Sequence, residues 1–257
     1  MSLTEIAFRG ASKTTYAKLF VAFVLANDQR TSRRKYFKIV SEDPINSTQF
    51  STDVYNILVG KKIKYYYPHL FQKTDLKREE TKSSFTLTDG RKVLASTVDK
   101  GQRGHLQGEE ASRPDFVIFE DFETSDTIQS LVISEDIWRT MEEAWNGRST
   151  DGVALYNCNY ISKRRNVQRI LDRASRSPTV HRIHKVPILI NGASAWPTAF
   201  TVEQIRQIER DSTDFQGEYM CNPSGEIDSF FSEQFLSLHP TMPVLAQNGS
   251  WSYFYKL

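Results

Sequence analysis

Apolar residues in this chain follow two alternating rhythms. Short unbroken runs of the kind buried strands show are separated by longer stretches in which apolar positions return with the helical period. Residues 4–8 read as a short strand. Residues 13–27 read as a helix with apolar residues almost all round it, which predicts burial on every side. A strand over 35–40 and a helix over 44–58 follow, the helix opened by Pro44 in its first turn. Phe85-Thr86-Leu87-Thr88, the tight pair Asp89-Gly90 and then 92–97 predict a β-hairpin, an antiparallel addition to a sheet. Residues 116–119 form a continuous apolar run bounded by acids, as a central parallel strand should. A helix is expected over 134–146, with Ile137, Trp138, Met141, Ala144 and Trp145 on one face, Ser134 as its cap and Gly147 at its end. Strands over 152–156 and 180–186 and a capped helix over 201–210 complete the series. After about Phe231 the pattern gives way to a loop rich in Pro and Ser, and 250–257 begins a new strand. Strand and helix signals that alternate in this way predict an α/β fold, a central mostly parallel sheet flanked by helices.

Composition narrows the class without choosing a function. The chain has 257 residues, 39% hydrophobic and 25% charged, enough for one large domain with a substantial core. Its 33 basic and 31 acidic residues nearly cancel, so a nucleic-acid contact has to come from a local patch. Cys158 and Cys221 lack the paired spacing of a disulfide framework or a zinc site, which fits a reducing compartment. His181 and His184, three apart, are flanked by Arg182 and Lys185, a neighbourhood that repels a metal and reads as a basic strand. The longest apolar run, 19–26, is too short to span a bilayer, so no membrane partner is expected.

Three runs carry candidate chemistry. The first is Ile6-Ala7-Phe8-Arg9-Gly10-Ala11-Ser12-Lys13-Thr14-Thr15: a strand, a small-residue turn, Lys-Thr and a helix. That is how a phosphate-binding loop is built. Backbone N–H groups and the helix N-terminus face the anion, the lysine reaches the outer phosphates and the threonine hydroxyl ligates magnesium. The strict glycine pattern fails, since the expected glycines fall on Ala7 and Ser12 and only Gly10 is one. The loop alone is therefore equally compatible with an ordinary strand-to-helix turn. The second run, Arg113-Pro114-Asp115-Phe116-Val117-Ile118-Phe119-Glu120-Asp121-Phe122-Glu123, sets adjacent acids at the C-terminal edge of a central strand, where ligands bind in open α/β sheets. One acid there can hold Mg2+ and the other can polarise an attacking water. The third, Ala154-Leu155-Tyr156-Asn157-Cys158-Asn159-Tyr160-Ile161, is a strand ending in small polar groups able to sense a γ-phosphate. Together they predict a P-loop ATPase of the additional-strand type, with ATP and Mg2+ as cofactors.

The order and spacing of these runs, with Gly217-Glu218-Tyr219-Met220-Cys221-Asn222-Pro223 after them, resembles the large terminase subunit of tailed bacteriophages over nearly the whole chain. The resemblance implies an ATPase that pumps double-stranded DNA into a procapsid, as a homo-oligomeric ring on the portal protein with the small terminase subunit, in the host cytoplasm. It implies that the loop Arg9, Gly10, Ala11, Ser12, Lys13, Thr14 and Thr15 binds the nucleotide. It assigns Thr14 and Glu120 to the metal, Asp121 to the water and Asn159 to coupling. The usual acid pair is Asp-Glu or Asp-Asp, so Glu-Asp here leaves the division of roles open and Glu123 in reserve. A charge-stabilising arginine from a neighbouring subunit is expected of such motors, and Arg103, in Gly101-Gln102-Arg103-Gly104, is the candidate, with Arg113 and Arg9 as rivals.

The resemblance also implies a segment before the phosphate loop that clamps adenine, of which only a handful of residues appear, and a nuclease half that is missing. The expectation is an ATPase domain over 1–231, followed over 232–257 by a linker and the first strand of a truncated nuclease domain. After Pro223 the only acids are Glu226, Asp228 and Glu233, so no DNA cleavage is expected. Basic runs at Arg30 to Lys35, at Lys61-Lys62-Ile63-Lys64-Tyr65-Tyr66-Tyr67 and at Lys163-Arg164-Arg165 are candidate contacts to a DNA backbone. The rival readings are a helicase-like ATPase and a non-catalytic module that docks to portal or DNA.

Overall fold

The computed structural model describes residues 1–27, 36–68, 83–87, 90–98 and 113–223, and the backbone of 77–78, 244–245 and 251–252. Its centre is an eight-stranded sheet. In chain order the strands are β1 (Ser2–Ala7), β2 (Tyr36–Ser41), β3 (Lys77–Arg78), β4 (Ser84–Thr86), β5 (Lys92–Thr97), β6 (Phe116–Glu120), β7 (Val153–Cys158) and β8 (His181–Val186). In space they run β3-β4-β5-β2-β6-β7-β1-β8. The six strands from β5 to β8 are parallel, and β4 and β3 extend the sheet antiparallel. The expected hairpin of β4 and β5 is present, but of its two strands only β4 is an antiparallel addition, because β5 joins β2 in parallel. Gly90, at φ 87°, takes the left-handed conformation its turn requires.

Helices cover the two faces. On one lie α1 (Lys13–Asn27) and α2 (Pro44–Val59), with Val21, Leu25, Phe37, Ile39, Phe50 and Ile118 in a shared core. Pro44 occupies the first turn of α2, and Asp43 accepts from the Ile45 N–H at 2.8 Å as its cap. The short helix α3 (Lys61–Tyr66) follows α2 with its three lysines and Tyr65 and Tyr66 exposed. The other face carries α4 (Leu131–Gly147) and α5 (Asn166–Arg176) over Phe119, Phe122, Met141, Tyr156 and Val167. Each fully buried phenylalanine here contributes roughly 1.5–3 kcal/mol of transfer free energy.

Two expectations are corrected and one element is added. Helix α1 is not buried all round: Tyr16, Leu19, Phe20 and Phe23 are exposed, because only the stripe through Ala17, Val21, Ala22 and Leu25 meets the sheet and α2. Helix α4 begins a turn before the expected cap. Ser130 accepts from the Ile133 N–H, and Ser134 lies inside the helix and buried. Helix α5 was not anticipated. After β8 the chain forms a small module that packs on β1 through Phe8, Ile188, Ile205 and Phe215. It comprises the paired strands β9 (Leu189–Ile190) and β10 (Ala193–Ser194), then α6 (Val202–Asp211) and α7 (Phe215–Glu218). Helix α6 opens on a capping box between Thr201 and Gln204. Short paired strands β11 (Val244–Leu245) and β12 (Trp251–Ser252) lie near the C-terminus. Among the described residues no helix is long and apolar enough to cross a membrane.

Candidate active site

The strand order places β7 between β1, which leads into the phosphate-loop sequence, and β6, which ends in the acids. Because all three strands are parallel, their C-terminal tips share one edge of the sheet, and the three sequence runs meet there. At the tip of β1 the chain turns sharply. The Ala11 N–H donates to Phe8 O at 3.1 Å, Gly10 adopts φ 88° and Ser12 adopts φ 59°. A side chain other than glycine's at positive φ is strained, so Ser12 occupies a conformation suited to the glycine that the strict pattern expects there. Helix α1 then starts at Lys13, leaving first-turn N–H groups directed at the edge of the sheet.

Lys13 Nζ donates to Asn159 Oδ1 at 2.7 Å, so the loop lysine and the residue after β7 are in direct contact. The Thr14 hydroxyl donates to Glu120. Glu120 also accepts from Asn157 Nδ2 at 2.6 Å. Ladder register aligns Ser41, Glu120 and Asn157 across β2, β6 and β7, on the face that α1 covers. Two polar atoms beside Glu120, Ser41 Oγ and Asn157 Oδ1, are buried with no hydrogen-bond partner among the described residues. Burial pushes the Glu120 carboxyl up to about 7, and Asp121 adds to the rise, while Thr14, Asn157 and Lys13 oppose it. Burial raises Asp121 too, against the pull of Lys13. Asp121 sits at φ 40° with its N–H donated to Asn157 O at 3.0 Å. Strain of this kind, costing on the order of 1–3 kcal/mol, gathers where function demands a particular side-chain direction.

The remaining sequence candidates fall elsewhere. Thr15 is exposed on the first turn of α1, beside Thr14. Arg9 points to the module after β8, its Nη1 donating to both carboxylate oxygens of Glu218 at 3.1 and 3.0 Å. Glu123 is engaged by α5: it accepts from the Asn166 and Val167 N–H groups at 2.7 and 3.3 Å, and burial raises its pKa. Arg113 precedes β6 and so lies at the opposite edge of the sheet from the acids. Arg103 and the run from Arg30 to Lys35 lie outside the described residues. In the third basic run Lys163 and Arg164 are exposed, whereas Arg165 is buried and donates from Nε to Ile128 O at 2.6 Å, which removes it as a surface contact. His181 pairs with Ser2 and His184 with Glu5, each at 2.7 Å. Asn157 is the site residue that sequence reasoning passed over. Its signal is a polar residue directly opposite an acid on the neighbouring strand, readable only once the strands are paired.

A strand-turn-helix loop with a lysine and a threonine, acids on a strand one removed and a polar residue on the strand between define a P-loop NTPase fold of the additional-strand type. No protein-family model matches the sequence. No curated protein matches it either. Among solved structures, the chain shares its fold with large terminases of bacteriophages. The HK97 bacteriophage large terminase superposes with a TM-score of 0.54 at 13% identity, over 95% of this chain and 51% of that one. The large terminase of a thermophilic bacteriophage gives 0.51 at 11% identity, over 84% and 47%. A point mutant of the ATPase domain of the Thermus phage P74-26 large terminase gives 0.53 at 14% identity, over 86% and 88%. The chain thus spans about half the length of the first two proteins and most of the isolated ATPase domain.

Proposed function

We propose that residues 1–231 are the ATPase domain of a viral DNA-packaging motor, and that 232–257 are a linker and the start of a second domain. Hydrolysis of Mg-ATP in this domain drives double-stranded DNA into a procapsid. The carrying observation is the contact of Lys13 with Asn159 and of Thr14 with Glu120 at one sheet edge. Lys13 and the first-turn N–H groups bind the phosphates, with Gly10, Ala11 and Ser12 shaping the turn. Thr14 and Glu120 are both hard oxygen donors and touch one another, and Ser41 Oγ and Asn157 Oδ1, without a hydrogen-bond partner among the described residues, stand alongside. That donor set fits Mg2+, which takes few protein ligands and keeps its waters. When bound, the ion neutralises charge on the phosphate oxygens. Asp121 orients the attacking water and accepts its proton, its strained backbone holding the carboxylate at the tip of β6. Asn159, held against Lys13, couples phosphate occupancy to the chain after β7.

The setting that goes with this chemistry is a homo-oligomeric ring on the portal protein, with the small terminase subunit as a further partner, in the cytoplasm of a host bacterium. Titration of the protein and of Lys13→Ala with Mg-ATP tests the central claim. Saturable binding by the native protein and none by the variant is expected. Negligible binding by both would replace the ATPase with a non-catalytic docking module.

A further inference from the structure

A groove of about 720 Å3 opens beside Lys13 and runs down the face of the sheet between α1 and the chain that follows β8. Tyr16 lines it from the α1 side and Trp196 from the other. Near them the lining includes the small residues Ala11 and Ala195, which leave room for a flat group. Tyr16 lies three residues beyond Lys13, about 4.5 Å along the helix axis. Tyr16 is 63% exposed, so the core makes little use of it. Trp196 is tied to the phosphate loop by a chain of aromatic contacts. Its ring is 6.2 Å from that of Phe200, and Phe200 meets Phe8 edge-on at 5.6 Å, with a Cβ at Gly10 only 3.4 Å from the Phe200 ring. The tryptophan therefore keeps its place relative to the loop.

We infer that Tyr16 and Trp196 form the base subsite of the nucleotide site, holding an aromatic nucleobase by stacking between α1 and the module after β8. The inference rests on the Mg-ATP reading and adds to it. The resemblance to terminases assigns the adenine clamp to chain preceding the phosphate loop, whereas both aromatic walls here follow that loop. Phosphate affinity comes from Lys13 and the start of α1, and base affinity comes from these two rings, so the two contributions are separable. Stacking on an aromatic side chain is worth roughly five- to a hundred-fold in affinity per base.

Calorimetric titration of the protein with Mg-ATP and with Mg-tripolyphosphate, which has no base, reads the two contributions apart. The native protein is expected to bind ATP at least about five-fold more tightly than tripolyphosphate. Trp196→Ala and Tyr16→Ala should each lose affinity for ATP while tripolyphosphate binding stays unchanged, and Trp196→Phe should retain most of the ATP affinity. Trp196 also touches the module, so Tyr16→Ala, at an exposed position, carries the test if Trp196→Ala melts early. An unchanged ratio of ATP to tripolyphosphate affinity in a folded Tyr16→Ala and in every folded Trp196 variant would overturn the base subsite and leave the phosphate site standing. Failure of the native protein to bind either ligand would overturn the Mg-ATP reading, and the subsite with it.

Discussion

Glu120 is a carboxyl kept almost entirely from water at the tip of β6, in contact with Thr14 and Asn157. Its pKa is raised from 4.5 to about 7, first by burial and then by Asp121. An acid whose folded pKa is raised holds its proton more tightly in the folded chain than in the unfolded one. The folded state gains its full advantage below the unfolded pKa and loses it as pH climbs through about 7. With no nucleotide or metal added, Glu120→Gln should therefore raise the melting temperature little at pH 5 and clearly at pH 8. The stability gained at the higher pH is on the order of 2–4 kcal/mol. A gap that narrows with rising pH would contradict the charged, buried state assigned to Glu120. Ser12 offers a second test at this scale. At φ 59° it adopts a conformation that suits glycine, so Ser12→Gly should preserve nucleotide binding and leave the melting temperature unchanged or slightly raised. Loss of binding in Ser12→Gly, with binding retained in Lys13→Ala, would remove the phosphate-loop assignment. The placements that sequence makes legible belong to residues adjacent in the chain, such as Lys13 and Thr14 at the start of α1. Asn157 was not legible, because its partner Glu120 lies 37 residues away and meets it only through the ladder between β6 and β7.

Helix α5 repeats that lesson one scale up. Its sequence is amphipathic, with Val167, Ile170 and Ala174 buried, yet no residue at its start supplies a side-chain cap. The cap is Glu123, 43 residues earlier, accepting from two N–H groups that would otherwise be buried without partners. Local signals therefore could not announce this helix. The end signals of α6, where Thr201 and Gln204 cap each other, and of α2, where Pro44 follows the Asp43 cap, are contiguous in the chain, and both helices are among those the sequence predicts. Glu123→Ala should lower stability by about 1–3 kcal/mol, since it strands both donors. Glu123→Gln, which keeps an acceptor, should recover at least half of the loss in a denaturant titration. Equal losses in the two variants would mean that the charge, and not the cap, is what α5 requires. Helix α1 shows the opposite failure, a signal that was strong but incomplete. An apolar ring reads as burial on all sides, while only one stripe of it finds the sheet and α2, and Leu19 stays 47% exposed. Leu19→Lys should shift stability by no more than about 0.5 kcal/mol. Val21→Ser, on the fully buried stripe, should cost several times as much.

For the whole molecule, strand order is the property on which the functional reading depends, and it was legible only in part. Alternating strands and helices announced a parallel sheet. The three motif runs predict the additional-strand class, but the insertion of β7 between β1 and β6, which brings Asn159 to Lys13 as well as Glu120 to Thr14, is fixed residue by residue only by the strand pairing. Transfer of a phosphoryl group gains from a second cation at the site, and an arginine in that role is worth on the order of 10³ or more in rate. Of the arginines singled out from the sequence and described in the structure, Arg9 is paired with Glu218, and Arg113 lies at the far edge of β6. The remaining candidate, Arg103, is expected to act across a subunit boundary. In assembled motor complexes, Arg103→Ala and Lys13→Ala subunits should each be inactive alone. Mixed, they should regain part of the ATPase rate, because an interface can then pair an intact phosphate loop with an intact arginine. The regained rate should peak at intermediate mixing ratios, since either excess depletes the productive pairing. No recovery at any ratio, with mixed assembly verified by labelled subunits, would place the stabilising charge on some residue other than Arg103.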